Sequence, residues 1–281
     1  MIRPKSDARY TMGRSSEETN RLEHQSKLYQ TMTRHFFEEA GIDEGMKVLD
    51  VGSGAGDLAL TIAEMVGQSG KVLGVDVNGK ILETARARTK QAGFTNVAFI
   101  EGDSRKVELS ESFDAVVGRL VLMYMSDPTQ ALKQLTTHLK PGGIVAFQEA
   151  DFIAFESIKH RDTPILNNLT KWCLDVFKHS GAHPGTGLDL YRIFVEAGLP
   201  EPCLHLSAPV GCGETWPGYE YIANTFRSLL PLIQEYEIAT SEEVDIDTLA
   251  ERIRKEVNAT KRPVVLTMHV TAWSKLSRAS Q

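Results

Sequence analysis

Three glycines at alternate positions, Gly52, Gly54 and Gly56, follow directly on the run Val48-Leu49-Asp50-Val51. Glycines so spaced let a chain turn sharply and bring bare backbone N–H groups against a ligand. A dinucleotide fingerprint needs its third glycine three residues after the second. Asp57 stands there instead, so the pyrophosphate clamp is not matched. No G-K-[ST] follows, which excludes a P-loop. The groups that could move a proton are Tyr10, His24, Tyr124, His183 and the acids Glu149 and Asp151. Two carboxylates this close suit acid–base work or a divalent cation. No third ligand matches them, so no metal is expected. Arg119 could hold an acidic ligand group, or serve as an ion-pair partner for Glu149 or Asp151.

Alternating elements must position these groups. A capping box at Ser15-Ser16-Glu17-Glu18 opens a helix predicted to run from about Ser16 to Ala40, stopped by Gly41. Strands are expected at Lys47–Val51, Lys71–Val75, Val97–Glu101, Phe113–Val117 and Ile144–Gln148. Helices are expected at Leu58–Val66 and Gly79–Ala92, and after the cap Asp127-Pro128. Such alternation means a parallel sheet with helices on both faces. Its ligands sit beyond the carboxyl ends of the strands. Glu149 and Asp151 lie at such an end, and strand alternation points both to one side. Further on, helices are expected at Pro164–His179, Leu188–Ala197, Thr215–Glu237 (broken near Pro231) and Ile246–Asn258. Strands are expected at Leu204–Ser207 and Val264–Trp273.

From residue 46 to 151 the chain resembles the class I S-adenosylmethionine-dependent methyltransferases. The resemblance rests on the glycine run, Gly74-Val75-Asp76-Val77, Glu101-Gly102-Asp103-Ser104, Phe113-Asp114-Ala115-Val116-Val117 and Leu139-Lys140-Pro141-Gly142-Gly143, in that order. It implies a Rossmann-like α/β fold, with a mostly parallel seven-stranded sheet and helical cap insertions. It implies S-adenosyl-L-methionine as cofactor, held by Asp50, Gly52, Ser53, Gly54, Asp76, Val77, Asp103, Ser104, Arg119 and Leu120. Within that set Asp76 would accept from the ribose diol and Asp103 from the adenine amino group. Tyr10, Met12 and Gln25 resemble the segment that covers the cofactor in some small-molecule enzymes, with Tyr10 also a catalytic candidate beside Glu149 and Asp151. Tyr124 stands where many relatives carry histidine.

The organisation expected is a single domain over 1–281: a cover helix in 1–41, a cofactor core in 42–151, and completion of the sheet with cap insertions in 152–281. The insertions, about 155–185 and 213–260, carry Trp172, Phe177, His183, Trp216, Tyr219, Tyr221 and Phe226, which suggest an apolar or aromatic acceptor. A hydrophobic content of 42% and a charged content of 24% suit a globular enzyme, and the net charge of −6 disfavours nucleic acid as partner. The three cysteines form no C-x-x-C pair. No apolar run is long enough to span a membrane, and the first residues show no signal-peptide pattern, so the compartment expected is the cytoplasm. A homo-oligomer stays open. The activity expected is methyl transfer to oxygen, nitrogen or carbon of a small molecule, as in quinone biosynthesis and secondary metabolism. The alternatives are an NAD-dependent oxidoreductase and a non-methylating protein that retains the cofactor site.

Overall fold

The computed structural model describes residues 7–8, 16–158 and 160–277, with side chains in the first helix at Gln25 and from Leu28 onward. That helix, α1 (Ser16–Glu39), leads into β1 (Lys47–Val51), α2 (Asp57–Val66), β2 (Lys71–Asp76), α3 (Gly79–Gln91) and β3 (Val97–Glu101). Then come β4 (Phe113–Arg119), α4 (Pro128–Leu135) and β5 (Leu139–Ala150). Asp127 caps α4, its carboxylate accepting from Gln130 N at 2.8 Å, as the Asp-Pro pair predicts.

The five strands run parallel in the order β3-β2-β1-β4-β5. The order reverses between β1 and β4, and the crevice at such a reversal is where open α/β sheets bind ligands. Both faces are covered, so alternate residues of one strand enter different cores. Val48 packs with Phe37, Ile62 and Leu82, while Leu49 packs with Leu132, Phe147 and Phe194. Each such side chain, once buried, contributes about 1.5–3 kcal/mol.

Beyond β5 the chain forms α5 (Phe152–Ser157), α6 (Pro164–His179), α7 (Thr186–Glu196), β6 (Cys203–Ser207) and β7 (Val210–Gly211). There follow α8 (Gly218–Glu235), α9 (Ser241–Val244), α10 (Leu249–Thr260), β8 (Val264–Val265) and β9 (His269–Lys275). β9 pairs antiparallel with β5 and β6 antiparallel with β9, which completes a seven-stranded sheet. The register sets His269 opposite Ala150, so β9 starts at the rim where the parallel strands end. Helices α6, α8 and α10 share a third core with Tyr29, Met123 and Phe152 above that rim.

Two expected elements are corrected. Val264–Trp273 is not one strand: β8 pairs with β7, and residues 266–268 spend their backbone groups elsewhere. Leu266 N donates to Pro209 O at 2.9 Å, and Met268 O accepts from Asp151 N at 3.2 Å. Helix α8 is not broken at Pro231. One turn lacks its N–H, but Leu229, Leu232 and Ile233 are buried around it and hold the helix together. Among the described residues no helix is long and apolar enough to cross a membrane.

Candidate functional site

A cavity of about 330 Å³ lies at the carboxyl ends of β1, β2, β3 and β4, roofed by α6 and α8. The glycine turn forms its floor. Gly52 has φ 68°, and a Cβ there would meet Val121 Cγ2 at 2.4 Å, so any side chain is excluded twice over. Beneath the turn Asp50 is buried, with Oδ2 accepting from the Ser53 hydroxyl at 2.8 Å and Oδ1 without a partner among the described residues. Burial pushes the Asp50 carboxyl up to about 7, against the pull of Ser53 and of the Arg119 charge.

Asp76, at the end of β2, accepts from Gly54 N and from Asn78 N, one on each oxygen, both at 2.9 Å. Its spare lone pairs remain for a ligand hydroxyl. Asp103 is differently placed from its expected part as a free acceptor. Arg105 brackets it, with Nε on Oδ1 and Nη2 on Oδ2, both at 2.8 Å, and holds its carboxyl below the usual range. The same guanidinium reaches Asp7, whose Oδ1 also accepts from Ser126 N at 2.9 Å. Burial would raise Asp7, but the bonds from Arg105 and Ser126 win and bring it down to about 2. Ala8 N donates to Tyr124 O at 2.9 Å. Residues 7–8 thus cross the cavity wall, tied to the loops after β3 and β4.

The end of β4 carries Arg119 into the wall, and the turn after it carries Leu120, Val121 and Tyr124. Leu120 has φ 55°, a left-handed conformation costing a leucine about 1–2 kcal/mol. Glu149 holds that turn: its Oε1 accepts from Val121 N and Leu122 N, each at 2.9 Å. Glu149 is fully buried, outside the cavity wall, and burial pushes its carboxyl up to about 7. Asp151 is also outside the wall. Its two oxygens accept from Ala154 N at 2.7 Å and Leu188 N at 2.8 Å, which ties the starts of α5 and α7. The expectation that both acids face the ligand is therefore corrected: buried backbone donors claim them. Arg119 pairs with neither. It makes no hydrogen bond or ion pair with a described residue. Among the described residues no three His, Cys, Asp or Glu side chains gather as a metal site.

Of the expected ligand contacts, Gln25, Asp50, Gly52, Ser53, Gly54, Asp76, Val77, Asp103, Ser104, Arg119 and Leu120 all line this one cavity. Tyr10 and Met12, and the side chain of His24, lie outside the described residues. Among the cap aromatics only Phe177 and Tyr221 reach the wall. Trp216 and Tyr219 pack on each other, with ring centroids 5.0 Å apart. His183 lines a separate surface hollow. Sequence reasoning missed His269, which is buried in the wall and stacked on Tyr29 at 4.3 Å. Burial, with Arg119 adding to it, brings its imidazole down to about 3, so it is neutral at ordinary pH. The one signal available was its place within the last expected strand, Val264–Trp273.

A family model described as a methyltransferase domain matches residues 42–198, more than half of the chain. Over 118 residues the chain is 34% identical to the ubiquinone/menaquinone biosynthesis C-methyltransferase UbiE of Azotobacter vinelandii, covering 41% of this chain and 47% of that one. The chain spans about half the length of the curated relatives it matches. Among solved structures, phosphoethanolamine N-methyltransferase 2 of Haemonchus contortus, bound to phosphomonomethylethanolamine and S-adenosylhomocysteine, superposes with a TM-score of 0.55 at 15% identity, over 93% of this chain and 57% of that one. The [4+2]-cyclase SpnF superposes at 0.51 and 16% identity, over 88% and 80%. At these identities the superpositions speak for the fold alone.

Proposed function

The chain belongs to the methyltransferase domain family, and from that premise we propose that it binds S-adenosylmethionine in the cavity and methylates an oxygen, nitrogen or carbon of a small molecule. When bound, the cofactor would supply an electrophilic methyl: an electron pair of the acceptor (a lone pair on oxygen or nitrogen, a π pair on carbon) forms the new bond, the methyl–sulfur pair stays on sulfur to give S-adenosylhomocysteine, and the acceptor sheds a proton. The observation that carries this reading is a pair of opposite charges on one wall. Among the described residues, one oxygen of the buried Asp50 carboxylate has no partner and the Arg119 guanidinium has no hydrogen bond or ion pair. Together they complement the ammonium and carboxylate of an amino acid. The glycine turn leaves room for the chain between them, and Asp76 remains for the ribose hydroxyls.

The residues' work is alignment and exclusion of water. Glu149 keeps the strained turn that aims Arg119. Residues 7–8 close one side of the cavity, and Phe152, Phe177 and Tyr221 supply apolar wall on the acceptor side. A dispersing positive charge tolerates such walls. An NAD-dependent reading is not favoured, because no third fingerprint glycine follows Gly54. The fold is shared with a cyclase, so the direct test is chemical. The purified chain is incubated with cofactor and a metabolite extract, and mass spectrometry seeks S-adenosylhomocysteine together with a species heavier by one methylene. A binding titration that finds affinity for NAD and none for S-adenosylhomocysteine would overturn the reading.

Two expected outcomes arise from the same geometry. Only the charged form of Asp50 pairs with an ammonium, and the folded carboxyl protonates as pH falls through about 7. Calorimetric affinity for S-adenosylhomocysteine should therefore be level above that pH and drop by up to about tenfold per unit below it. A flat profile would place the ammonium elsewhere. Asp7→Asn should loosen the tie to Arg105. That pair is partly exposed, so the gain in cofactor dissociation rate is modest, on the order of fivefold, with melting temperature nearly unchanged. Stopped-flow displacement measures it, and an unchanged rate would remove residues 7–8 from the closure.

A further inference from the structure

A second, smaller cavity of about 60 Å³ adjoins the first, and Cys173, Tyr221, Thr225 and Thr267 stand in the walls of both. The remainder of its wall is mainly apolar, with Phe155, Leu166, Leu169, Ile222, Phe226 and Leu266 among others, and carries one imidazole, His160, set edge-on to Phe155. Two of its three threonines spend their hydroxyls on their own helices. Thr170 donates to Leu166 O and Thr225 to Tyr221 O, both at 2.9 Å. The strip Val264–Thr267 lines this side cavity and ends two residues before His269 in the main one. His269 is buried, its Nδ1 has no hydrogen-bond partner among the described residues, and stacking on Tyr29 sets its plane. The hydroxyl of Tyr29 donates to Thr267 O at 3.1 Å, which ties that stack to the doorway.

The cofactor's polar groups are matched in the main cavity by Asp50, Asp76 and Arg119, none of which enters the wall of the side cavity. Apart from the His160 ring and the Thr267 side chain, the side cavity has little to offer a charged group, which would lose its water there without replacement. An empty apolar void in a packed interior is destabilising, and a hydrocarbon that fills it relieves that strain. A buried imidazole with a free nitrogen calls for a hydrogen-bonding partner instead. The two needs stand side by side, joined by Thr267.

Resting on the methyl-transfer reading, we propose that the acceptor is an amphiphile: a compact head whose hydroxyl or amine hydrogen-bonds to His269, and a short unbranched apolar limb lodged in the side cavity. The head thereby stands in the main cavity beside the cofactor, and the limb fixes its orientation. His269 is a positioning group in this arrangement, since a neutral imidazole can accept or donate a hydrogen bond without taking a proton.

The test is a series of 4-alkylphenols, from methyl upward, titrated into the full chain by calorimetry with and without S-adenosylhomocysteine. Affinity should rise about fourfold per added methylene, then stop rising at the length that fills the side cavity. Ile222→Trp, at a partly exposed position, should abolish the rise; Thr170→Ile, a milder filling, should shorten it. His269→Ala should weaken every member by a common factor and leave the rise per methylene intact. A flat series in the parent protein, or a rise that survives Ile222→Trp undiminished in a variant with parental melting temperature, overturns the limb assignment. Equal binding of the series by the His269→Ala variant overturns the head assignment. The methyl-transfer reading fails separately, if S-adenosylhomocysteine itself does not bind.

Discussion

Arg119→Leu is expected to weaken S-adenosylhomocysteine by about a hundredfold in calorimetry, while leaving adenosine almost untouched. Each half of that statement has its own ground. The guanidinium stands half-buried in the cavity wall, with no hydrogen-bond or ion-pair partner among the described residues. A carboxylate that reaches it gains charge-assisted hydrogen bonds, worth about 1.5–3 kcal/mol where water is excluded. Adenosine carries no carboxylate, so its contacts with the glycine turn and Asp76 persist. The Arg119 charge also helps hold the Asp50 carboxyl down, so its removal pushes that carboxyl above about 7. The variant's pH profile should move upward accordingly. Asp50→Asn is the companion, expected to lose affinity and the pH dependence together. Equal losses for adenosine and S-adenosylhomocysteine would mean that Arg119 shapes the pocket rather than binding the amino acid moiety.

The parts of this site that were legible in the sequence are those specified by backbone geometry. Gly52 announces a left-handed turn, and Asp76 announces a strand end, because each depends on near neighbours and on sheet topology. The strand rhythm up to Gln148 was legible for the same reason: buried parallel strands are short apolar runs between turn signals. What stayed hidden depends on contacts remote in sequence. Glu149 reads as a poised base until the N–H groups of Val121 and Leu122, 28 and 27 residues earlier, are seen to claim it. His269 lies 240 positions from Tyr29, on which it stacks. The break before β9 arises because Pro209 and Asp151 take backbone groups that a strand would use. Asp103 is an instructive intermediate case. Its partner Arg105 is two residues away, so the bracket was open to a local reading that looked only for free acids.

Glu149 supplies the second large effect, and two variants separate its candidate roles. If it is a base, Glu149→Gln destroys turnover and leaves stability alone. If it is an acceptor for buried backbone, the amide oxygen does the same work and turnover survives. The geometry predicts the second outcome, since Oε1 holds Val121 N and Leu122 N while Oε2 has no partner within hydrogen-bonding geometry among the described residues. The pH dependence sharpens the distinction. Burial lifts the folded carboxyl from 4.5 to about 7, so the folded state prefers the protonated form. Its stabilising contribution is whole below the unfolded pKa and is lost as pH rises through 7, a loss on the order of 3 kcal/mol. The glutamine never ionises and escapes that loss. Glu149→Gln should therefore match the parent's melting temperature near pH 5 and exceed it by several degrees near pH 8. Glu149→Ala differs at every pH. It strands two buried N–H groups beside the left-handed Leu120 and should cost about 2–4 kcal/mol. Because that turn aims Arg119, the alanine variant should also bind S-adenosylhomocysteine poorly at temperatures where it remains folded. A glutamine variant as unstable as the alanine one would show that the negative charge itself holds the turn. A stable glutamine variant without turnover would return Glu149 to the chemistry.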